Sequence, residues 1–100
     1  MIKHIIDEVC RERELTKEKL LNKTRLRYIV ESRQIAFYLA RRYTTLSLQE
    51  IGNHFKKDHA TVLFGVKNIK NLIQIDNEIK LTVKKLDKIL FDIKSYDVLK

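Results

Sequence analysis

The chain has 100 residues, 44% of them hydrophobic, with a formal net charge of +8. That length favours one domain, residues 1–100, and the apolar share supports a modest core, which excludes a disordered basic tail. No proline and only two glycines argue against a turn-rich β fold and for an all-α chain. The positive surplus speaks about partners: phosphate-bearing polymers first, then anionic membrane and acidic proteins. The lone cysteine, Cys10, cannot form an internal disulfide, which fits a reducing cytoplasm. No apolar run approaches the roughly 18 residues of a spanning helix. Asp7 and Glu8 stand where a signal peptide would be apolar. A cytoplasmic protein with no membrane partner is expected.

In chain order, Ile2, Ile5, Ile6 and Val9 make one face of an amphipathic helix over residues 2–13. Thr16 then caps a fresh helix of about two turns, with Leu15 and Leu20 at hydrophobic-staple positions. Residues 22–31 carry no clean helical period and bring Lys23, Arg25 and Arg27 close together. They read as a basic loop, either a DNA-binding arm or a solvated connector. From Ser32 a helix resumes, with Ile35, Ala36, Leu39, Ala40 and Tyr43 as its apolar stripe and Arg33, Gln34, Arg41 and Arg42 outside it.

Ser47 and Glu50 have capping-box spacing, and Leu46 and Ile51 staple spacing, so a short helix starts at Ser47 with Leu48, Ile51 and Phe55 inward. Gly52 inside it costs about 1 kcal/mol against Ala, which implies close approach by another backbone. Lys56 and Lys57 form a turn, and Asp58 caps the next helix, which opens with His59, Ala60 and Thr61. Val62, Val66, Ile69 and Ile73 face inward, with Leu63 and Leu72 nearby and Lys67 and Lys70 outside. Asp76 caps a last helix whose seam runs through Ile79, Val83, Leu86, Leu90 and Ile93. That seam either packs across the bundle or pairs with a second copy.

The chemistry points away from an enzyme. Neither Gly52 nor Gly65 belongs to a phosphate-cradling G-x-x-x-x-G-K-[ST] loop. His54 and His59 have no metal-site spacing with Cys10, so neither metal nor cofactor is expected. Cys10 reads as a half-buried structural thiol. The start of the helix at Asp58 offers a carboxylate, an imidazole and a hydroxyl with a methyl, groups that meet base edges in a major groove. Its amides and dipole favour phosphate. Lys56, Lys57, Arg33 and Arg41 can reach phosphates, and the loop arginines a minor groove. Each feature alone also has an ordinary reading: a cap, an exposed imidazole, solvated lysines. A-form RNA suits this helix less, because its major groove is narrow and deep.

Three segments carry a family resemblance: Arg33-Gln34-Ile35-Ala36-Phe37-Tyr38-Leu39-Ala40, then Ser47-Leu48-Gln49-Glu50-Ile51-Gly52, then Asp58-His59-Ala60-Thr61-Val62. They resemble the C-terminal DNA-binding domain of the bacterial chromosomal replication initiator DnaA, over residues 2–75, with 76–100 as an extra or extended helix. The resemblance implies a bundle of about six helices around a helix-turn-helix, related to the Trp repressor. It also implies binding to a short, non-palindromic duplex box at replication origins and some promoters. By that likeness Arg25 enters the minor groove. Asp58, His59 and Thr61 face bases, Arg33 and Gln34 contact DNA at the start of their helix, and Arg41 holds a phosphate. Ala60 stands where the family has a second Thr, Phe64 where it has His, and Gln49 where Pro is common. The turn Lys56-Lys57-Asp58 is one residue shorter than the family's glycine-containing version.

The expected function is therefore sequence-specific binding of double-stranded DNA in replication or transcription regulation, on the nucleoid, by a monomer that takes no ATP. The opening Met and the extra C-terminal seam favour a stand-alone protein without the family's ATP-binding domain. The alternative is a non-enzymatic protein-interaction module that uses the basic face and the seam.

Overall fold

In the computed structural model, which describes residues 1–99, the described residues form six helices: α1 (Ile2–Arg13), α2 (Lys17–Leu21), α3 (Arg27–Tyr43), α4 (Leu48–Asn53), α5 (His59–Ile75) and α6 (Asn77–Leu99). The chain is all-α, as its composition requires. Most junctions are set by short-range chemistry. Glu14 adopts the left-handed conformation at φ 56° and ends α1, with the Leu15 amide returning to the Cys10 carbonyl at 2.9 Å. Thr16 caps α2 by accepting from the Lys19 amide at 3.1 Å. Only five residues of α2 are helical, so it is shorter than the expected two turns. Ser47 and Glu50 close a reciprocal capping box, at 3.1 and 3.0 Å. Asp76 accepts from the Ile79 amide at 3.1 Å and opens α6.

The basic loop expected over residues 22–31 is shorter than its sequence suggests. Helix α3 begins at Arg27, five residues before Ser32. Its first turn is fixed by polar contacts with α1, which a search for apolar periodicity does not detect. The Tyr28 hydroxyl donates to the Arg13 carbonyl at 2.7 Å. Arg13, itself buried, donates to Ser32 Oγ at 2.8 Å and lies over the Tyr28 ring, 3.9 Å from its centroid. Ser32 in turn donates to the Tyr28 carbonyl.

The core is one cluster. It takes Ile5, Ile6 and Val9 from α1, Ile35, Ala36, Phe37, Leu39 and Ala40 from α3, and Ile51, Phe55, Val62 and Ile69 from the helix pair. Phe37 and Phe55 meet edge to face, 4.9 Å between centroids, and join α3 to the turn after α4. Cys10 is buried in this cluster, and burial raises its thiol above the ordinary value, with the Asp7 charge adding to the effect. Leu63, expected near the inward face, is exposed.

The seam of α6 is the fourth side of the core: Ile79, Val83, Leu86 and Leu90 are buried and Ile93 packs against them. The seam is therefore taken up within the bundle, and the interaction-module reading loses one of its two surfaces and keeps the basic face. Polar clamps fix α6 further. The Tyr43 hydroxyl bonds to the main-chain carbonyl of Asp87 at 2.9 Å and to its carboxylate, which also pairs with Arg42 at 3.1 Å. Lys94 donates to the Tyr43 carbonyl and Lys85 pairs with Glu12. Among the described residues, no helix is long and apolar enough to cross a membrane.

Burial, then the bond to Asp87, pushes the Tyr43 phenol up from its ordinary 10.0 to about 12, against the opposing charge of Arg42. The folded value exceeds the unfolded one. Its stabilisation is therefore complete below pH 10 and disappears as pH rises through about 12. Urea denaturation of wild type and Tyr43→Phe across this range should show the wild-type advantage, about 0.5–1.5 kcal/mol at pH 8, shrinking towards alkaline pH.

Candidate nucleic-acid interface

The joint between α4 and α5 depends on Gly52. A Cβ there would lie 2.3 Å from the Lys57 carbonyl oxygen and 3.3 Å from Val62 Cγ2. The expected close backbone approach is thus made by the turn itself, which folds back so that the Lys57 amide donates to the Gly52 carbonyl at 3.0 Å. Reversing the chain this tightly puts Lys56 in the left-handed region, at φ 55°. Glycine takes this conformation without the cost that a side chain brings.

Asp58 follows and caps α5, its Oδ1 accepting from the Thr61 amide at 2.8 Å. That bond holds the Asp58 carboxyl below the usual carboxylate range, with a smaller contribution from the Thr61 hydroxyl. Asp58, His59, Ala60 and Thr61 are all exposed, as is Lys56, and Lys57 is half-buried. One surface therefore carries a carboxylate, an imidazole, a methyl group, a hydroxyl and two ammonium groups. The expected reading residues do lie together at the helix start.

Helix α5 is seated on α3. Gly65 is the contact: a Cβ there would come within 2.8 Å of Phe37 Cδ2 and 3.0 Å of Gln34 Cγ. Beside it Asn68 donates to Gln34 Oε1 at 2.7 Å. The sequence reading assigned neither Gly65 nor Asn68 a role. A lone glycine in an otherwise strongly striped helix was the available signal.

Arg33 and Gln34 were expected outside the stripe of α3, at the start of the helix. Both are buried and lie in its second turn, because α3 begins upstream. The Arg33 guanidinium donates to the carbonyls of Leu20 at 3.0 Å and Asn22 at 2.6 Å, so it caps the C-terminal end of α2. Burial pushes its pKa below the ordinary arginine value. Arg33 thus fastens the segment 22–26, in which Arg25 is exposed. Its neighbour Gln34 supports α5. Arg41 is exposed and, with Tyr38, Val66 and Lys70, lines a cleft of about 280 Å³ between α3 and α5. Lys70, which the sequence reading left as a merely outward residue, shares that cleft. Arg42 lines the same cleft while its Nε pairs with Asp87.

Comparison with known proteins adds an independent finding. Residues 2–69 match the family described as bacterial dnaA protein helix-turn-helix. The chain is 37% identical to the chromosomal replication initiator protein DnaA of Bacteroides thetaiotaomicron over 90 residues, covering 89% of this chain and 19% of that protein. It is 42% identical to the protein of the same name from Oleidesulfovibrio alaskensis over 66 residues, 66% of this chain and 14% of the relative. Against that of Caldanaerobacter subterraneus it is 39% identical over 87 residues, 87% of this chain and 20% of the relative. The matched part is thus a fifth or less of these relatives' length.

A left-handed conformation costs a non-glycine residue about 1–2 kcal/mol, and glycine gives back part of that relief through its larger unfolded-state entropy. Lys56→Gly should raise stability by about 0.5–1 kcal/mol, read as a higher urea midpoint at unchanged slope.

Proposed function

Because this chain belongs to the bacterial DnaA helix-turn-helix family, we propose that it binds double-stranded DNA sequence-specifically, with the first turn of α5 in the major groove. The observation that carries this reading is the capped, exposed start of α5, where Asp58, His59, Ala60 and Thr61 stand beside Lys56 and Lys57. The imidazole of His59 can donate to or accept from a base edge. The Thr61 hydroxyl can do the same. Asp58 can accept from an amino group, with its carboxylate already oriented by the cap.

Lys56, Lys57 and Arg41 contact phosphates and set the register on the duplex. Arg25, in the segment fastened by Arg33, enters the adjacent minor groove, where a cationic side chain senses width and A·T content. Arg33 and Gln34 act as positioning residues, one for that segment and one for α5. The target is a short, non-palindromic box of the kind found at a replication origin or a promoter, bound by one copy of the chain. No ATP takes part in this binding. The site works on the nucleoid, in control of replication or transcription.

An unbiased selection of duplexes, followed by titration at several salt concentrations, tests the proposal. With three phosphate contacts, log affinity should fall against log salt with a slope of roughly −3. His59→Ala should cost about 1–3 kcal/mol on the selected site and relax its sequence preference. Lys57→Ala should weaken all duplexes about equally and make the salt slope shallower by about 1. Equal affinity of the wild type for every duplex would overturn the specific-reader assignment.

A further inference from the structure

Helix α5 exposes one large aromatic side chain beyond its first turn. Phe64 is 66% exposed, although the core lies against the same helix. The buried residues Val62, Gly65, Val66 and Ile69 define its inner face. At 3.6 residues per turn, Ala60, Phe64, Lys67 and Asn71 fall on the opposite ridge, and all four are exposed. Phe64 stands one turn along from Ala60, about 6 Å further on the axis, which corresponds to about two base-pair steps. Ala60 carries only a methyl group. The outermost ridge of the proposed reading helix therefore begins with two apolar groups a turn apart, and the charged side chain of Lys67 follows them.

Apolar side chains in a major groove have one specific target, the C5-methyl group of thymine, which cytosine and the purines lack. From this placement we infer that Ala60 and Phe64 read thymine methyl groups at two nearby positions of the bound duplex, with Phe64 a specificity-determining residue. The ring edge covers a methyl that would otherwise stay hydrated. A polar residue at position 64 would lose this preference and gain hydrogen bonding to base or backbone instead. The inference rests on the placement of α5 in the major groove proposed above.

The test replaces each thymine of the selected duplex in turn by deoxyuridine, which keeps base pairing and removes one methyl group. Wild-type affinity should fall about fourfold at two positions, the equivalent of about 0.8 kcal/mol for each buried carbon. Phe64→Ala should bind the all-thymine duplex about fourfold more weakly. It should lose discrimination between thymine and uracil at one of the two positions and keep it at the other. Since Phe64 is largely exposed, this variant should match the wild type in helix content and urea midpoint. Specific binding with no response to deoxyuridine, or the same response in Phe64→Ala at both positions, overturns the inference and leaves DNA reading by His59 intact. A selection that enriches no sequence overturns the specific-reader proposal and this inference with it.

Discussion

The position of the exposed end of α5 depends on one crossing, where Gly65 lies against Phe37 and Gln34 of α3. A side chain at 65 would push the two helices apart, because the nearest obstacle is a buried ring with nowhere to move. The amide pair of Gln34 and Asn68 then fixes the register along the crossing. One residue earlier on α3, Arg33 spans to the carbonyls that end α2. Two adjacent residues of one helix thus hold the two segments that face outward, the start of α5 and the chain around Arg25. A buried guanidinium is tolerated there because helix-end carbonyls accept from it. Without those acceptors its desolvation would be uncompensated.

The turn before α5 solves a second problem, that of reversing direction within a few residues. Gly52 lets the Lys57 carbonyl approach, and Lys56 takes the strained conformation that completes the reversal. Asp58 then uses one oxygen to satisfy the Thr61 amide, which leaves the amides of His59 and Ala60 as the helix start's remaining donors. The cap does more than end a helix cleanly. It orients a carboxylate at the surface and keeps it charged, since the hydrogen bond favours the ionised form.

The legible parts of this structure are those governed by neighbours in sequence. The capping box at Ser47, the caps at Thr16, Asp58 and Asp76, and the stripes of α1, α5 and α6 follow from side-chain type at fixed spacing. What was not legible depends on partners distant in sequence. The first turn of α3 is held by Arg13, and the burial of Arg33 and Gln34 by Leu20, Asn22 and Asn68. Periodicity counts such residues as outward because they are polar. A polar group enters the interior whenever its hydrogen bonds are met there. The grouping of Asp58, His59 and Thr61 was readable because it is local. The nearness of Arg41 to Lys70 required the fold.

The ion pairs bear on where a polyanion would meet this chain. Among the described residues the ion pairs join Arg11 to Glu8, Arg27 to Glu31, Arg42 to Asp87, Lys85 to Glu12 and Lys88 to Asp92. They lie on α1, α3 and α6, and none takes Arg25, Arg41, Lys56, Lys57, Lys67 or Lys70. Exposed pairs of this kind add little stability, on the order of 0–1 kcal/mol each. Their greater effect is on the field, because they neutralise positive charge on the helices behind α5. The turn, the start of α5 and, Arg42 apart, its cleft with α3 keep their cations outside these pairs. Unpaired cations of this kind are what a phosphate polymer would meet first under the proposed function, with base contacts following, so that arriving and reading would fall to different side chains.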